Sequence, residues 1–140
     1  MHVKIYLSGQ ITGLTKEEYT RNFQRAEQHY KSAGYQVVNP VKLGEQILAL
    51  HPEATYEDFM LRDLEALATC TAIALISGWE QSPGAQREKA EAERLGLEIM
   101  QYKETDKMRK ASNAERRAEH ASHFQESKGE IKFLDRYSNK

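Results

Sequence analysis

Only one cysteine is present, Cys70, which excludes an internal disulfide framework. It stands beside an apolar run, so it reads as a small core residue rather than a reactive thiol. Long apolar runs are also missing, and none reaches the length needed to span a bilayer. Met1 to Ser8 is too short for a signal peptide and leads straight into a strand pattern. A soluble, cytoplasmic protein without membrane contact is therefore expected. No excess charge of one sign exists: 20 Lys and Arg oppose 21 Asp and Glu, for a formal charge of −1. Such a balance supplies no global field toward nucleic acid or an anionic membrane. The spaced glycines of a dinucleotide fingerprint or a P-loop are absent. His120 and His123 stand three apart, but without nearby cysteine or convergent carboxylates they do not make a metal site. No metal and no cofactor is expected.

What the chain does contain is an alternation of strand and helix patterns. Val3 to Leu7 is the first strand, ending in the polar loop Ser8-Gly9-Gln10-Ile11-Thr12-Gly13. Two glycines after a strand permit a close approach of backbone to ligand, or an ordinary turn. Thr15 caps a helix to about Ala33, with Glu18 at the capping-box offset and Gly34 as its stop. Phe23, Ala26, Tyr30 and Ala33 give its inward face. Tyr35 to Val38 is a second strand, closed by Asn39-Pro40. Val41 to Leu50 suits a short helix with Leu43, Ile47 and Leu50 on one side, followed by a turn at His51. Thr55 with Asp58 opens a helix to about Ala68, with Met60, Leu61, Leu64, Leu67 and Ala68 facing the core. Ala72 to Ile76 is a strand buried on both faces. After the loop at Trp79, a helix starts at Ser82-Pro83-Gly84 and stops at Gly96, with Ala85, Ala90, Leu95 and Leu97 near one side. Leu97 to Tyr102 is the last strand.

This order predicts an α/β fold, with a parallel sheet of four to five strands flanked by helices. The domain should occupy residues 1–102. From Lys103 the composition shifts to 10 Lys and Arg against 7 Asp and Glu with few aliphatics, a weak core former. Residues 103–140 read as a charged, partly helical extension, with Ser112 and Glu115 at a capping-box spacing and a small apolar patch at Ile131 to Leu134.

Chemistry in an open α/β sheet is expected outside the carboxyl ends of the strands. Two carboxylates come from successive strand–helix units there. Asp63 lies in mid-helix, where aspartate is a poor helix former and a solvated charge is the plain alternative. Glu88 lies one turn into its helix, where the helix field favours an anion and can hold a partly buried carboxylate ionised. Glycosidic cleavage needs such a pair: one group attacks or stabilises the anomeric carbon, the other handles the proton of the leaving group. Ser82, Gly84 and Ala85 at the helix start can hold an anion. Trp79 offers either a lid or a stacking face. Tyr6, near the end of the first strand, either hydrogen-bonds a carboxylate or packs. His51 is a turn residue that could also line a pocket.

Three motifs occur in a fixed order: Tyr6-Leu7-Ser8-Gly9, Arg62 to Leu67, and Ser82-Pro83-Gly84-Ala85-Gln86-Arg87-Glu88. Together they resemble those of the nucleoside 2-deoxyribosyltransferase superfamily, in particular a compact branch of bacteria and their phages close to the 2′-deoxynucleoside 5′-phosphate N-hydrolases. The resemblance covers about Val3 to Gln101. It implies a flavodoxin-like, five-stranded fold, Glu88 as nucleophile, Asp63 as proton donor to the base, and Tyr6 as the residue that orients Glu88. It also implies that the loop from Ser8 and Gly9 through Ile11 to Gly13 lies along the nucleotide. Ser82 stands six residues before Glu88. Serine there matches the monophosphate hydrolases, whereas aspartate marks the transferases of free nucleosides. The resemblance further implies a homodimer or larger assembly with shared sites, to which Ser112 or Asn113 would contribute. The expected activity is cleavage or transfer at the N-glycosidic bond of (deoxy)nucleoside 5′-monophosphates. The alternative is a non-catalytic module that captures an ADP-ribose-like nucleotide.

Overall fold

The computed structural model describes residues 3–103. Strand β1 is Lys4–Ser8, helix α1 Lys16–Ser32, strand β2 Gln36–Val38, helix α2 Pro40–Leu50 and helix α3 Tyr56–Ala68. Strand β3, Ala72–Ile76, leads through a single 3-10 turn at Trp79–Gln81 into helix α4, Pro83–Leu95, and strand β4, Glu98–Tyr102. The sheet is wholly parallel in the order β2-β1-β3-β4. This is a flavodoxin-like α/β arrangement. Four strands are present among the described residues, so the fifth strand implied by the resemblance is not among them.

The helix ends follow their sequence signals. Thr15 Oγ1 accepts from the Glu18 amide while the Glu18 carboxylate accepts from the Thr15 amide, a reciprocal capping box. Thr55 and Asp58 repeat the arrangement at α3. Ser82 caps α4 with Pro83 behind it, and Gly96 at φ 76° closes it.

Each strand divides its side chains between two faces, because successive residues of a strand point opposite ways. On one face Ile5, Leu7, Ala72, Ala74 and Ile76 pack against Tyr19, Phe23, Ala26 and Tyr30 of α1. On the other, Tyr6, Ile73 and Leu75 meet Leu67 of α3 and Ala92 of α4, with Cys70 buried beside them. Cys70 is thus the core residue expected, and its Sγ donates to the Ala66 carbonyl at 3.4 Å. Truncating a ring such as Phe23 in this core would cost about 3–5 kcal/mol.

Three helix faces differ from the sequence expectation. In α3 the buried line is Tyr56, Phe59, Met60, Asp63 and Leu67, while Leu61 is 57% exposed. In α4 it is Ala85, Glu88 and Ala92, not Ala85, Ala90 and Leu95. Leu50 of α2 is 78% exposed, while Ile47 is buried against Ala54 and Phe59 with Leu43 and Leu48 packed on them. In α3 and α4 a carboxylate occupies a place on the buried stripe. A hydrophobicity pattern counts such a residue as outward-facing and rotates the predicted stripe away from it.

Candidate active site

The chain order places β2 on one side of β1 and β3 on the other. Connections therefore leave in opposite directions at the β1–β3 boundary, and a crevice opens above it. Gly9, Ile11 and Thr12 from the β1 loop line this cleft together with Phe23 of α1, Pro40 of α2, and Met60 and Asp63 of α3. Ser82, Pro83, Gly84, Ala85 and Glu88 complete it from the start of α4.

Glu88 is buried on the inward line of α4. The alternation of β1 sets Tyr6 and Ser8 on the face that α4 covers, and both hydroxyls reach Glu88. Tyr6 donates to Oε2 at 2.6 Å and Ser8 to Oε1 at 2.7 Å. Burial pushes the Glu88 carboxyl up, and the two hydroxyl bonds pull it back, leaving it at about 7.

Asp63 is only 1% exposed, so it is no solvated helix charge. Neither of its carboxyl oxygens has a hydrogen-bond partner among the described residues. Burial raises its pKa well above the ordinary carboxylate range, and the charge of Glu88 raises it further. The pair thus holds two carboxyls in opposite surroundings, one with two donors and one with none. Such a difference separates a group that ionises from one that keeps its proton.

The start of α4 is partly self-satisfied. Ser82 Oγ accepts from the Ala85 amide at 3.1 Å, and the Gln86 amide donates to the Ser82 carbonyl at 3.0 Å. This corrects the expectation that the Ala85 amide is open to a ligand: the capping serine already holds it. Pro83 has no N–H, so Gly84 supplies the remaining amide of the first turn. A methyl group at Gly84 would meet Met60 Cε at 3.5 Å and Ser82 Oγ at 3.8 Å, ordinary contacts that do not demand glycine. At Gly9 the reverse holds. A methyl there would sit 3.1 Å from Ile76 Cβ and 3.4 Å from Phe23 Cζ, so its glycine serves packing between the loop and β3.

Gly13 does not line the cleft. Its φ of 90° makes the turn, and Gln10 Nε2 beside it donates to the Thr12 carbonyl at 2.9 Å. Trp79 is likewise not among the lining residues. It packs on the α3–α4 side of the sheet, with Lys89 Nζ 5.6 Å from its ring centroid. The stacking role expected of Trp79 is therefore not supported, since one turn of 3-10 helix carries it onto the core. His51 is exposed on another groove, beside Glu53 and Arg62. Asn113, Ser112, His120 and His123 lie outside the described residues.

The sequence reading missed Phe23, Pro40 and Met60 as lining residues, whereas Thr12 lies in the loop expected along the ligand. Pro40 had a signal, as the first residue of the helix that follows the strand at the sheet edge. Phe23 and Met60 read as core, and each serves both purposes. Also missed was Glu27, buried on α1. It accepts from Asn39 Nδ2 at 3.0 Å and pairs with Lys31 at 2.6 Å and Lys42 at 3.0 Å. Burial raises its carboxyl, but these partners outweigh it and hold the pKa at about 2. Asn39 also caps α2 through the Val41 amide, so this cluster fixes the helix start that puts Pro40 in the cleft wall.

Among the described residues no Lys, Arg or His lines the cleft, and no group of three or more His, Cys, Asp or Glu is placed to hold a metal ion. No described helix is long and apolar enough to cross a membrane. Comparison with curated proteins and with solved structures gives no match. A family model described as a domain of unknown function, DUF4406, matches residues 3–101, which span the sheet, the four helices and both carboxyls of the cleft. The chain therefore belongs to the DUF4406 family.

Proposed function

We propose that this protein cleaves the N-glycosidic bond of (deoxy)nucleoside 5′-monophosphates, passing the glycosyl group to water or to an acceptor base. The observation that carries this reading is the buried pair of carboxyls at one cleft, Glu88 held by two hydroxyl donors and Asp63 by none. The ionised Glu88 attacks C1′ as the C1′–N bond breaks. Asp63, kept neutral by burial, gives its proton to the departing base nitrogen. The glycosyl ester on Glu88 is then opened by water or a second base, and the Asp63 carboxylate takes back the proton.

Met60, Phe23, Pro40 and Ile11 give the cleft apolar surface for a base and a sugar face. Ser82 and the Gly84 amide stand at a helix start suited to the phosphate, although no described cation accompanies them. The superfamily resemblance adds a cytoplasmic enzyme that works as a homodimer or larger assembly. Incubation with a panel of nucleoside and deoxynucleoside 5′-monophosphates, with free base followed by chromatography, tests the reaction. Release that vanishes in Glu88→Ala supports it. Tight nucleotide binding with no release, even with acceptor base added, would replace it with the capture of a larger nucleotide without turnover.

A further inference from the structure

Ser8 was expected to touch substrate, yet it does not line the cleft. It is fully buried behind Glu88, two residues along β1 from Tyr6. Each hydroxyl takes a different oxygen of the same carboxyl, Tyr6 the Oε2 and Ser8 the Oε1, at 2.6 and 2.7 Å. We infer that Ser8 is a positioning residue, the second half of a two-hydroxyl clamp that holds both oxygens of Glu88 and selects Glu88 over Asp63 as the carboxyl that ionises. Its catalytic meaning rests on the reaction proposed above, but the clamp itself can be tested without turnover.

An ionised carboxyl only accepts, so it can take both hydroxyl protons at once. A protonated carboxyl carries a proton of its own on one oxygen, and the hydroxyl facing that oxygen must reorient. The clamp therefore favours the charged form. Among the described residues Asp63 has no donor, so it bears the full cost of burial.

Few other groups compete for this effect. Tyr6 faces Glu88 from β1, and Asp63 and Tyr56 feel the Glu88 charge from α3. Arg87, next to it on α4, is turned away to Glu57 at 2.9 and 3.3 Å. Holding both oxygens also fixes the plane of the carboxyl, which an attacking group needs. One hydroxyl alone would leave that plane free to turn about its remaining bond.

The test is 13C NMR of the full chain labelled at the glutamate side-chain carboxyl, with the Glu88 signal assigned by its loss in Glu88→Gln. Ser8→Ala should raise the Glu88 titration midpoint by about one pH unit, a tenfold smaller ionised fraction on the acid side. Ser8→Thr, which keeps the hydroxyl, should restore the midpoint. The acid limb of kcat/KM for base release should move with it, with kcat falling and KM unchanged. An unmoved midpoint in folded Ser8→Ala overturns the inference. If Ser8→Ala does not fold, Ser8→Cys, a weak donor, gives the same readout. Absence of base release by the wild-type protein would sink the reaction alone, because the midpoint still decides the clamp.

Discussion

The Tyr6 phenol donates to the Glu88 carboxylate over 2.6 Å and so ties strand β1 to helix α4, 82 residues away. A short O–H···O bond to a charged acceptor is among the stronger kinds. Tyr6→Phe keeps the buried ring and removes only this donor. Loss of a hydrogen bond to a charged group costs about 1.5–3 kcal/mol, so kcat should fall roughly 10- to 100-fold. The acid limb of the pH profile should move upward. A kcat that stays at the wild-type value would show that Tyr6 merely packs.

Asp63 predicts a conflict between stability and activity. Its oxygens are buried without partners, so replacing it by an apolar side chain removes a cost. Asp63→Leu should raise unfolding stability by about 1–3 kcal/mol in a urea titration. The same substitution should reduce base release by roughly 10²- to 10⁴-fold, the usual worth of a proton donor. A substrate with an activated leaving group should lose much less. A destabilised Asp63→Leu would mean that the carboxyl has a structural partner.

The carboxyl shifts set opposite slopes of stability against pH. Burial lifts Glu88 from 4.5 to about 7, so the folded state holds that proton more tightly than the unfolded chain. Its contribution is full below 4.5 and declines as pH rises to about 7. Asp63 is raised as well and acts in the same direction. Glu27 is lowered from 4.5 to about 2, so its contribution is present above 4.5 and is lost as pH falls through about 2. Urea midpoints measured between pH 4 and 8 should therefore decline toward neutrality in the wild type and decline less steeply in Glu88→Gln, where Asp63 remains. A profile unchanged by Glu88→Gln would contradict the burial cost assigned to Glu88.

Asn39 serves two partners with one amide. Its Oδ1 caps α2 and its Nδ2 satisfies the buried Glu27. Asn39→Ala should lower stability by about 1–3 kcal/mol, combining a lost cap with a weakened buried carboxylate. Asn39→Asp should keep the cap but set a second carboxylate against Glu27, and it should be the less stable of the two near neutrality. Thermal unfolding of both variants decides the point.

Two glycines of the cleft should respond in opposite ways. Gly9→Ala drives a methyl to 3.1 Å from Ile76 Cβ and should lower Tm. Gly84→Ala meets only ordinary contacts within a helix, where alanine is favoured by up to about 1 kcal/mol, so it should not lower Tm. If Gly84 leaves room for substrate, its alanine variant should raise KM while the protein stays as stable as wild type. An unchanged KM would remove Gly84 from the binding surface.

Much of the fold was legible in the order of residues. Capping boxes at Thr15 and Thr55, the serine and proline before α4, and the glycine after it mark helix ends through local hydrogen bonds that need no tertiary context. The all-buried run Ala72–Ile76 identified a central strand. The candidates Asp63, Glu88, Ser82 and Gly84 were found, and the structure brings them to one cleft. The helix faces were less legible, because Asp63 and Glu88 occupy core-facing places that a hydrophobicity pattern assigns to apolar side chains.

Other features belonged to the assembled chain alone. Trp79 looked like a cleft residue because it follows a strand, yet a single 3-10 turn packs it on the α3–α4 face of the sheet, outside the cleft lining. Ser8 and Gly9 looked alike as loop residues. In the fold one clamps Glu88, while the other makes room for Ile76. Local sequence determines where helices begin and end, because those bonds join residues three or four positions apart. Which hydroxyl meets which carboxyl depends on β1 lying beside β3 beneath α4. Only the packed chain decides that contact between residues 80 positions apart.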